Sequence, residues 1–322
     1  MSHFSLLVIT EQQPDEELLG ALLQPYHEYE CTGDNDQYVQ DIDVTEESLE
    51  YAKDSHEEGD IEGFVECAAS YHGVPIVKHG EHVDPQSEEY RWGWCQLDAE
   101  GNIAQIINRT NPNRKWDWWV VGGRWQGYLS PRTDPISAAV VRDIGMVGEK
   151  GVMGSSSGRD GFDSLPKKYI DFEGMRATAE AEAAQTYDQV MSAIGEQMKE
   201  YTPWAVVRDE VCAGDIEKAR EFYNKQAAVV ASREAAQNKV PGFDFFMELD
   251  DFNTTRDVFI KRAGDQSFCT FTIMRDGKWI ERGEMGWFGC VSDAKDDWSD
   301  QFAKLLAEIP DEHWLTVMDC HI

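Results

Sequence analysis

Both ends of this chain are short apolar segments of strand type, and this feature most constrains the fold. Residues 4–10 and 314–322 are rich in aromatic and branched aliphatic side chains, whereas the longest helix-type segment, 172–197, lies between them. Strands at both ends of a helical interior are typical of an α+β protein, in which the terminal strands can share a sheet. We therefore predict an α+β fold with an antiparallel or mixed sheet and long helices packed against it.

The remaining elements follow from local periodicity and turn residues. Alternating segments flank Gly101 and again flank Asp276-Gly277, which predicts hairpins over 91–108 and 257–280. Apolar residues at helical spacing predict helices over 15–24, 43–70, 214–237 and 293–309, and a short apolar run predicts a strand over 204–208.

A Gly- and Ser-rich stretch suggests a division of the chain. We predict a flexible loop over 151–165, with an acidic α+β region of residues 1–150 before it. Residues 166–322 follow as a helical and then hairpin region. We expect the two regions to pack together as one compact unit.

Charge is distributed very unevenly. The chain has 61 acidic and 29 basic residues, but residues 1–100 hold 25 acids against 3 bases and residues 101–150 hold 4 acids against 7 bases. Acidic surfaces repel nucleic acid and anionic membranes, so we expect no direct binding of duplex DNA and no membrane partner. Three interpretations of the acidic stretch stay open: a solvated face, a carboxylate array that imitates nucleic-acid phosphates, and adaptation to high salt.

The cellular compartment follows from apolar run lengths and cysteine number. No apolar run approaches the roughly 20 residues that span a bilayer, and residues 4–10 lack the basic flank of a signal peptide. Seven scattered cysteines, an odd number, favour reduced thiols. We therefore expect a cytoplasmic protein.

The segment 109–125 combines aromatic, basic and glycine residues. Flat aromatic rings beside Arg and a Gly-Gly turn are typical of a pocket for a planar anionic ligand, with Arg124 binding the anionic group. The predicted ligand-binding residues are Arg109, Lys115, Trp116, Asp117, Trp118, Gly122, Gly123, Arg124 and Trp125. The alternative is structural: core tryptophans, a pair of Asp117 with Arg114 or Arg124, and a simple hairpin turn.

A second group of polar residues comes from both ends of the chain. Its members could form a secondary site, either with metal-ligand chemistry or with a cysteine nucleophile: His27, Glu28, Cys31, Cys290, Asp319 and His321. The spacings of zinc sites and the motifs of nucleotide-hydrolysing and dinucleotide-binding folds are absent. We therefore predict no metal and no cofactor.

Several motifs carry a resemblance to a known family. They include Pro-Tyr-His-Glu-Tyr-Glu-Cys-Thr-Gly (25–33), Lys-Trp-Asp-Trp-x-x-x-Gly-Gly-Arg-Trp (115–125), Gly-Glu-Met-Gly-Trp-Phe-Gly-Cys (283–290) and the ending Asp-Cys-His-Ile (319–322). The chain resembles an uncharacterised family of proteins encoded mainly by tailed bacteriophages and by some bacteria. The resemblance implies an accessory protein that acts in the cytoplasm of the host cell.

Three functions are consistent with these observations. The first is a counter-defence binding protein that captures a nucleotide-like ligand or a host immune protein. The second is an enzyme that acts on a nucleotide or modified base. The third is an acidic nucleic-acid mimic that blocks a host DNA-binding protein.

Overall fold

The computed structural model describes residues 2–28, 36–55, 61–148, 158–244, 247–285 and 290–322. The strands are β1 (His3–Thr10), β2 (Gln40–Asp43), β3 (Ile76–Val77), β4 (Gly93–Leu97), β5 (Ile103–Thr110), β6 (Trp118–Val121), β7 (Ser164–Pro166), β8 (Thr272–Arg275), β9 (Lys278–Glu281), β10 (Glu284–Met285), β11 (Val291–Ser292) and β12 (Trp314–His321). The α-helices are α1 (Glu16–Leu23), α2 (Thr45–Ser55), α3 (Ile61–Tyr71), α4 (Pro135–Ile144), α5 (Phe172–Met198), α6 (Trp204–Val206), α7 (Ile216–Lys225), α8 (Ala227–Gln237), α9 (Arg256–Asp265) and α10 (Trp298–Ala307).

The terminal strands β1 and β12 lie side by side at the centre of the main sheet. The strand order is β6-β12-β1-β8-β9, and β7 also pairs with β12. Strands β1 and β12 are antiparallel over their full length, from His3 opposite His321 to Thr10 opposite Trp314, whereas β1 and β8 are parallel. The sheet is mixed and helices pack against it, so the predicted α+β fold is confirmed.

Both faces of the main sheet are covered, which explains why its central strands are so apolar. One face packs Leu6 and Met318 against Leu19 of α1. The other face packs Leu7 against Phe302 of α10. Burying a Leu or Phe side chain contributes about 1.5–3 kcal/mol, so this strand pair is a major source of stability. It also holds the polar residues at the ends of β1 and β12 in a defined register.

A second sheet, β2-β5-β4-β3, is built from the acidic first part of the chain. Helices α2 and α3 cover it and share its apolar core, which includes Ala52, Ala68 and Ile106. The β4–β5 hairpin forms around Gly101 as predicted. Its turn is closed by Asp98, whose carboxylate accepts hydrogen bonds from the N–H groups of Asn102 (2.8 Å) and Glu100 (3.0 Å). These bonds lower the pKa of Asp98.

Helix α5 is the longest element and confirms the predicted helix over 172–197. Asp171 caps its start by accepting a hydrogen bond from the Gly174 N–H (2.9 Å). Its buried face, which includes Val190 and Ile194, packs with α8 and the segment around Phe252 into a separate apolar cluster. This cluster lies away from the main-sheet core.

The prediction of a strand over 204–208 is wrong. Helix α6 covers the first part of this segment and continues into a single wide turn, Val207–Val211. Pro203 precedes the helix with φ −55°, and its carbonyl accepts a hydrogen bond from the Val207 N–H (3.0 Å). Trp and Val favour strands only where a partner strand is available, and no described strand pairs with this segment.

Two helices that we predict as continuous differ in the structure. The segment predicted as a helix over 43–70 forms two helices, α2 and α3, and Asp43 at its start instead ends β2 opposite Ile107 of β5. In 214–237, Gln226 adopts an extended backbone between α7 and α8. Its side chain bonds both the N–H (2.7 Å) and the carbonyl (3.0 Å) of Thr202. These partners are distant in sequence, so local periodicity does not reveal them.

Other differences concern residues that we predict as part of a loop or a hairpin, or for which we predict no element. Helix α4 occupies a stretch for which we predict no element, and α9 occupies the first part of the hairpin predicted over 257–280. Ser164 and Leu165, inside the predicted loop of 151–165, pair with β12 as β7. The main sheet therefore takes strands from both sides of that loop. No helix in the described part of the chain is long and apolar enough to cross a membrane.

The described cysteines are free thiols that differ greatly in exposure. Cys290 is exposed, whereas Cys95 and Cys320 are buried. Burial raises the pKa of Cys95 and of Cys269 to about 11 and raises the pKa of Cys320 well above its ordinary value. Because the thiolate is the reactive form, these three thiols should react far more slowly than Cys290 in the native protein.

A thiol titration tests this. At mildly alkaline pH, Ellman's reagent should modify Cys290 first, and Cys95, Cys269 and Cys320 only upon unfolding. In denaturant without reductant, all seven cysteines should titrate as free thiols. Fast modification of Cys320 in the native state would contradict its burial, and fewer than seven free thiols after unfolding would contradict a reducing compartment.

Candidate functional site

A cavity of about 610 Å³ lies where β1 begins and β12 ends. We call it the terminal cavity. Its walls combine an apolar set with several charged groups: Phe4, Glu28, Pro112, Arg114, Lys115, Asp117, Phe271, Glu281, Glu284, Met285, His321 and Ile322. Its volume falls within the range of roughly 300–1,000 Å³ that is usual for small-molecule sites.

Backbone hydrogen bonds hold the segment 109–125, which we call the Trp-rich segment, against this end of the sheet. The Asp117 N–H donates to the carbonyl of His321 (3.0 Å), and the Lys115 N–H donates to the carbonyl of Tyr26 (2.7 Å). The Glu28 N–H in turn donates to the carbonyl of Trp116 (2.7 Å). Residues 26–28, 115–117 and the end of β12 are thereby fixed beside one another.

Aromatic rings from distant parts of the chain line the apolar part of the terminal cavity. The ring centroids of Phe4 and Phe271 are 5.7 Å apart. Phe4 also contacts Trp279 edge-to-face, with centroids 6.0 Å apart. Phe4 and Phe271, together with Met285, offer a surface suited to a flat or apolar ligand group.

Charged groups surround this apolar surface in unequal numbers. The Lys115 ammonium lies 2.7 Å from Glu281 Oε1, and Glu281 Oε2 accepts a hydrogen bond from the Trp279 indole (2.7 Å). The exposed Arg114 guanidinium donates to the Thr110 hydroxyl (3.0 Å) and has no ion pair with a described residue. The cavity thus offers one cation, Arg114, that has no carboxylate partner among the described residues.

Three further carboxylates, Glu28, Asp117 and Glu284, also line the cavity. Neither Glu28 nor Glu284 forms an ion pair within the part of the chain that the structure describes. Since Lys115 is already paired with Glu281, carboxylates outnumber the remaining basic side chain. The lining therefore favours a ligand rich in hydrogen-bond donors over one that carries several negative charges.

Two histidine–aspartate pairs lie beside the cavity. Nδ1 of His321 is 2.6 Å from Asp117 Oδ1, and Nδ1 of His3 is 2.8 Å from Asp319 Oδ1. The two imidazole rings meet edge-to-face, with centroids 5.0 Å apart. An ionised carboxylate can only accept, so each Nδ1 carries the hydrogen. Nε2 of His321 is then left buried, without a hydrogen-bond partner among the described residues.

The Gly-Gly pair passes directly over two buried carboxylates. Gly122 and Gly123 have φ of +75° and +51°. A Cβ on Gly122 would lie 2.6 Å from the Asp163 carboxylate, and a Cβ on Gly123 would lie 2.5 Å from Asp319 Oδ2. The Arg124 N–H then donates to that same Asp319 oxygen (2.9 Å). Because Gly122 and Gly123 have no side chains, the backbone can lie against the Asp163 and Asp319 carboxylates of the protein itself.

The second carboxylate, Asp163, is fully buried. It accepts hydrogen bonds from the N–H groups of Gly127 (2.6 Å) and Gly148 (2.7 Å). Burial raises the pKa of Asp163, and the two backbone bonds oppose that shift. This carboxylate therefore ties the loop after β6 to β7.

The predicted ligand-binding residues are distributed over several environments. Lys115 and Asp117 line the terminal cavity, whereas Trp116 is buried and lines a different groove. Trp125 packs against the main-sheet core, and Arg124 is exposed.

The other members lie further from the cavity lining. Trp118 faces the His3 ring, with centroids 6.2 Å apart. Arg109 belongs to the second sheet, where it is 8% exposed and bonds Asp41 (2.8 Å) and the Pro85 carbonyl (2.6 Å). The Arg109 guanidinium therefore stabilises the second sheet and does not line the terminal cavity. The alternative of a pair between Asp117 and an arginine also differs from the structure, because Asp117 pairs with His321.

The secondary group is partly brought together. Glu28 and His321 line the terminal cavity, and Asp319 lies behind it, bonded to His3. His27 instead packs on Trp116 in a tilted arrangement, with ring centroids 4.4 Å apart, and Cys290 is exposed. Cys31 lies outside the described residues. No cluster of three potential metal ligands occurs in the described ranges.

Sequence reasoning missed much of the cavity wall. Phe4 of β1 lies more than 250 residues before the other missed wall residues, which come from strands or strand ends: Phe271, Glu281 and Glu284. The only local signal was the motif 283–290, which contains Glu284 and Met285. Comparison with known proteins identifies no matching family model, no similar curated protein and no similar solved structure.

Proposed function

We propose that this protein is a binding protein that captures a nucleotide-like ligand in the terminal cavity. The observation that carries the proposal is the juxtaposition of an aromatic surface, Phe4 and Phe271, with an arginine, Arg114, that has no described carboxylate partner. A planar ring can pack on the former while an anionic group binds the latter.

The surplus of carboxylates narrows the ligand class. Asp117 and Glu284 can accept hydrogen bonds from ring N–H and amino groups, which nucleobases supply. The same carboxylates repel additional phosphates. The ligand that fits best is therefore a base-containing molecule with a single anionic group near Arg114, and a triphosphate should bind more weakly.

A second candidate, an enzyme acting on a nucleotide or modified base, is favoured by one observation. The Asp117–His321 pair lies on the cavity wall, with Nδ1 of His321 on the carboxylate and Nε2 pointing away from it, the arrangement that orients a histidine general base. That nitrogen is buried, however, so it cannot reach a ligand without a rearrangement. Ligand capture without turnover requires no such rearrangement, so we favour a binding protein over an enzyme.

The biological setting of the proposal comes from the sequence resemblance to phage-encoded proteins. A phage accessory protein that sequesters a nucleotide-like ligand would act in the host cytoplasm, where it would remove a signal from a defence pathway. Capture of a host immune protein, and mimicry of nucleic acid by the acidic first hundred residues, stay alternatives. Both require a protein partner, so they predict co-purification of a host protein.

Mass spectrometry of material released from the protein tests the proposal most directly. Protein purified from its host and then denatured should release a stoichiometric base-containing small molecule. Incubating the isolated ligand with fresh protein distinguishes capture from catalysis, because a binding protein returns it intact. If nothing is released and neither adenosine nor adenosine 5′-monophosphate binds as a probe, the proposal fails.

Arg114→Ala should weaken binding of the released ligand, or of adenosine 5′-monophosphate as probe, by about tenfold to a hundredfold. This is the range expected when a charged hydrogen bond of about 1.5–3 kcal/mol is lost. Isothermal titration calorimetry provides the measurement. Arg114 is exposed, so the melting temperature should stay the same.

Arg124→Ala is the matched control. Arg124 is exposed and lies only ten residues further along, but it is absent from the terminal-cavity lining. We expect this variant to bind normally. An equal loss of affinity in both variants would contradict the placement of the anionic group at Arg114 and would restore Arg124 as its ligand.

A further inference from the structure

We propose that a groove between α1 and β6 binds a small alkylammonium cation. We call it the tryptophan groove. It has a volume of about 440 Å³, and its lining includes Glu16, Glu17, Gly20, His27, Trp116 and Trp119. It shares no lining residue with the terminal cavity, so the inference does not depend on the function proposed above.

Aromatic rings in fixed positions form one wall of the groove. The Trp116 indole N–H donates to the Leu23 carbonyl (3.1 Å), and the His27 ring packs on Trp116 at a tilt of 43°, with centroids 4.4 Å apart. Trp119 belongs to β6 and pairs with Cys320 in the main sheet. Because these rings are held by the fold, little side-chain freedom is lost when a ligand binds them.

Acidic residues of α1 also belong to the lining of the groove. Glu16 and Glu17 occupy the first turn of α1 and are exposed. Neither forms an ion pair with a residue in the described ranges. Two carboxylates and aromatic rings in one lining attract a cation and repel an anion, so the groove differs from a nucleotide site.

Gly20 keeps the tryptophan groove open. It lies inside helix α1, where glycine is less favourable than alanine. A Cβ built on Gly20 would be 4.0 Å from the six-membered ring of Trp119 and would meet nothing closer. A longer side chain at this position would extend over the Trp119 ring and fill the groove.

These features together select the chemistry of the ligand. A quaternary ammonium group has a diffuse charge and an apolar surface, which suit the face of an indole ring, and the carboxylates supply the opposite charge. A small quaternary ammonium compound and a trimethylated lysine side chain present the same group. The experiment therefore uses both choline and a capped Gly–trimethyllysine–Gly peptide as probes.

Nuclear magnetic resonance of the ¹⁵N-labelled indole groups provides the measurement. Choline should produce saturable shifts of the Trp119 signal, which a Trp119→Phe variant identifies. The neutral isostere 3,3-dimethylbutan-1-ol has the same shape and should bind about threefold to fivefold more weakly, the factor expected from an exposed cation–π contact. Tighter binding of the peptide than of choline would indicate a lysine side chain as the source.

Gly20→Gln should abolish the choline shifts while leaving the fold intact, because glutamine is the better helix former. The matched control is Gly195→Gln in α5, another half-buried helical glycine whose Cβ would contact only Met191. It should bind choline normally. The double variant Glu16→Gln/Glu17→Gln should weaken binding by about fivefold.

Three results would each overturn the proposal. They are the absence of a saturable choline shift, equal affinity for the neutral isostere, and unchanged binding in Gly20→Gln. Failure of nucleotide binding in the terminal cavity would leave this inference untouched, since the two experiments use different probes and variants.

Discussion

Replacing Asp319 with alanine should lower the free energy of unfolding by about 3–5 kcal/mol. The carboxylate is completely buried and accepts hydrogen bonds from His3 Nδ1 (2.8 Å) and from the Arg124 N–H (2.9 Å). Alanine leaves both donors without this acceptor and creates a cavity beside Gly123. Urea denaturation followed by circular dichroism measures the loss.

Asp188→Ala is the control for this variant. Asp188 is 58% exposed and pairs with Arg256 on the protein surface. Such pairs contribute about 1 kcal/mol or less, so the control should lose little stability. If Asp319→Ala lost no more than Asp188→Ala, the buried pair with His3 would not be a structural anchor of β1 and β12.

Gly123→Ala should lower the free energy of unfolding by about 2–5 kcal/mol. Its φ of +51° is unfavourable for alanine, and the added methyl group would overlap the Asp319 side chain. Relief of this overlap requires either a shift of the β6 turn or loss of the Asp319 bonds. The same denaturation experiment reports the change.

Gly101→Ala separates the cost of backbone strain from the cost of overlap with the Asp319 side chain. Gly101 has φ +86° in an exposed turn, and a Cβ there would meet nothing within 4 Å. Only backbone strain should act, and the expected loss is about 1 kcal/mol. Equal losses in the two variants would mean that the close approach to Asp319 costs nothing and that Gly123 is needed only for its backbone conformation.

Asp319→Ala and Gly123→Ala both disturb the contact between the β6 turn and the Asp319 carboxylate, the first by removing the carboxylate and the second by crowding it. Asp319 holds His3 and the turn after β6, while Asp117 holds His321 on the wall of the terminal cavity. The shape of the cavity therefore depends on hydrogen bonds between the first strand, the last strand and the Trp-rich segment. Thermal stability and ligand affinity should fall together in Asp319→Ala but not in Arg114→Ala.

Several elements were predictable because their signals are local. The β4–β5 hairpin has alternating apolar residues around a glycine turn, and α5 has a capping aspartate before a long run of good helix formers. Gln226, by contrast, breaks a helix through bonds with Thr202. Ser164 becomes a strand residue only because β12 lies beside it. Such effects depend on partners that local patterns do not contain.

The candidate site was predictable only in part, for the same reason. The spacing of Asp319 and His321 correctly places both on one face of β12, opposite Ser5 and His3, while Cys320 faces the other core. Nothing local indicates that Asp117 pairs with His321, or that Trp116 and Asp117 point into different pockets. Adjacent residues of an extended segment face opposite ways, so one motif is divided between two surfaces.

The α+β class, the strand character of both termini and the acidic character of the chain are predictable from the sequence, because each depends on composition or on short-range periodicity. The position of the terminal cavity, the arginine that lines it and the carboxylates that the histidines bind follow only from the three-dimensional packing. Those features arise from the register that places His3 opposite His321. That register brings together residues more than 200 positions apart, and it is selected by the packing of two complete cores rather than by any single segment.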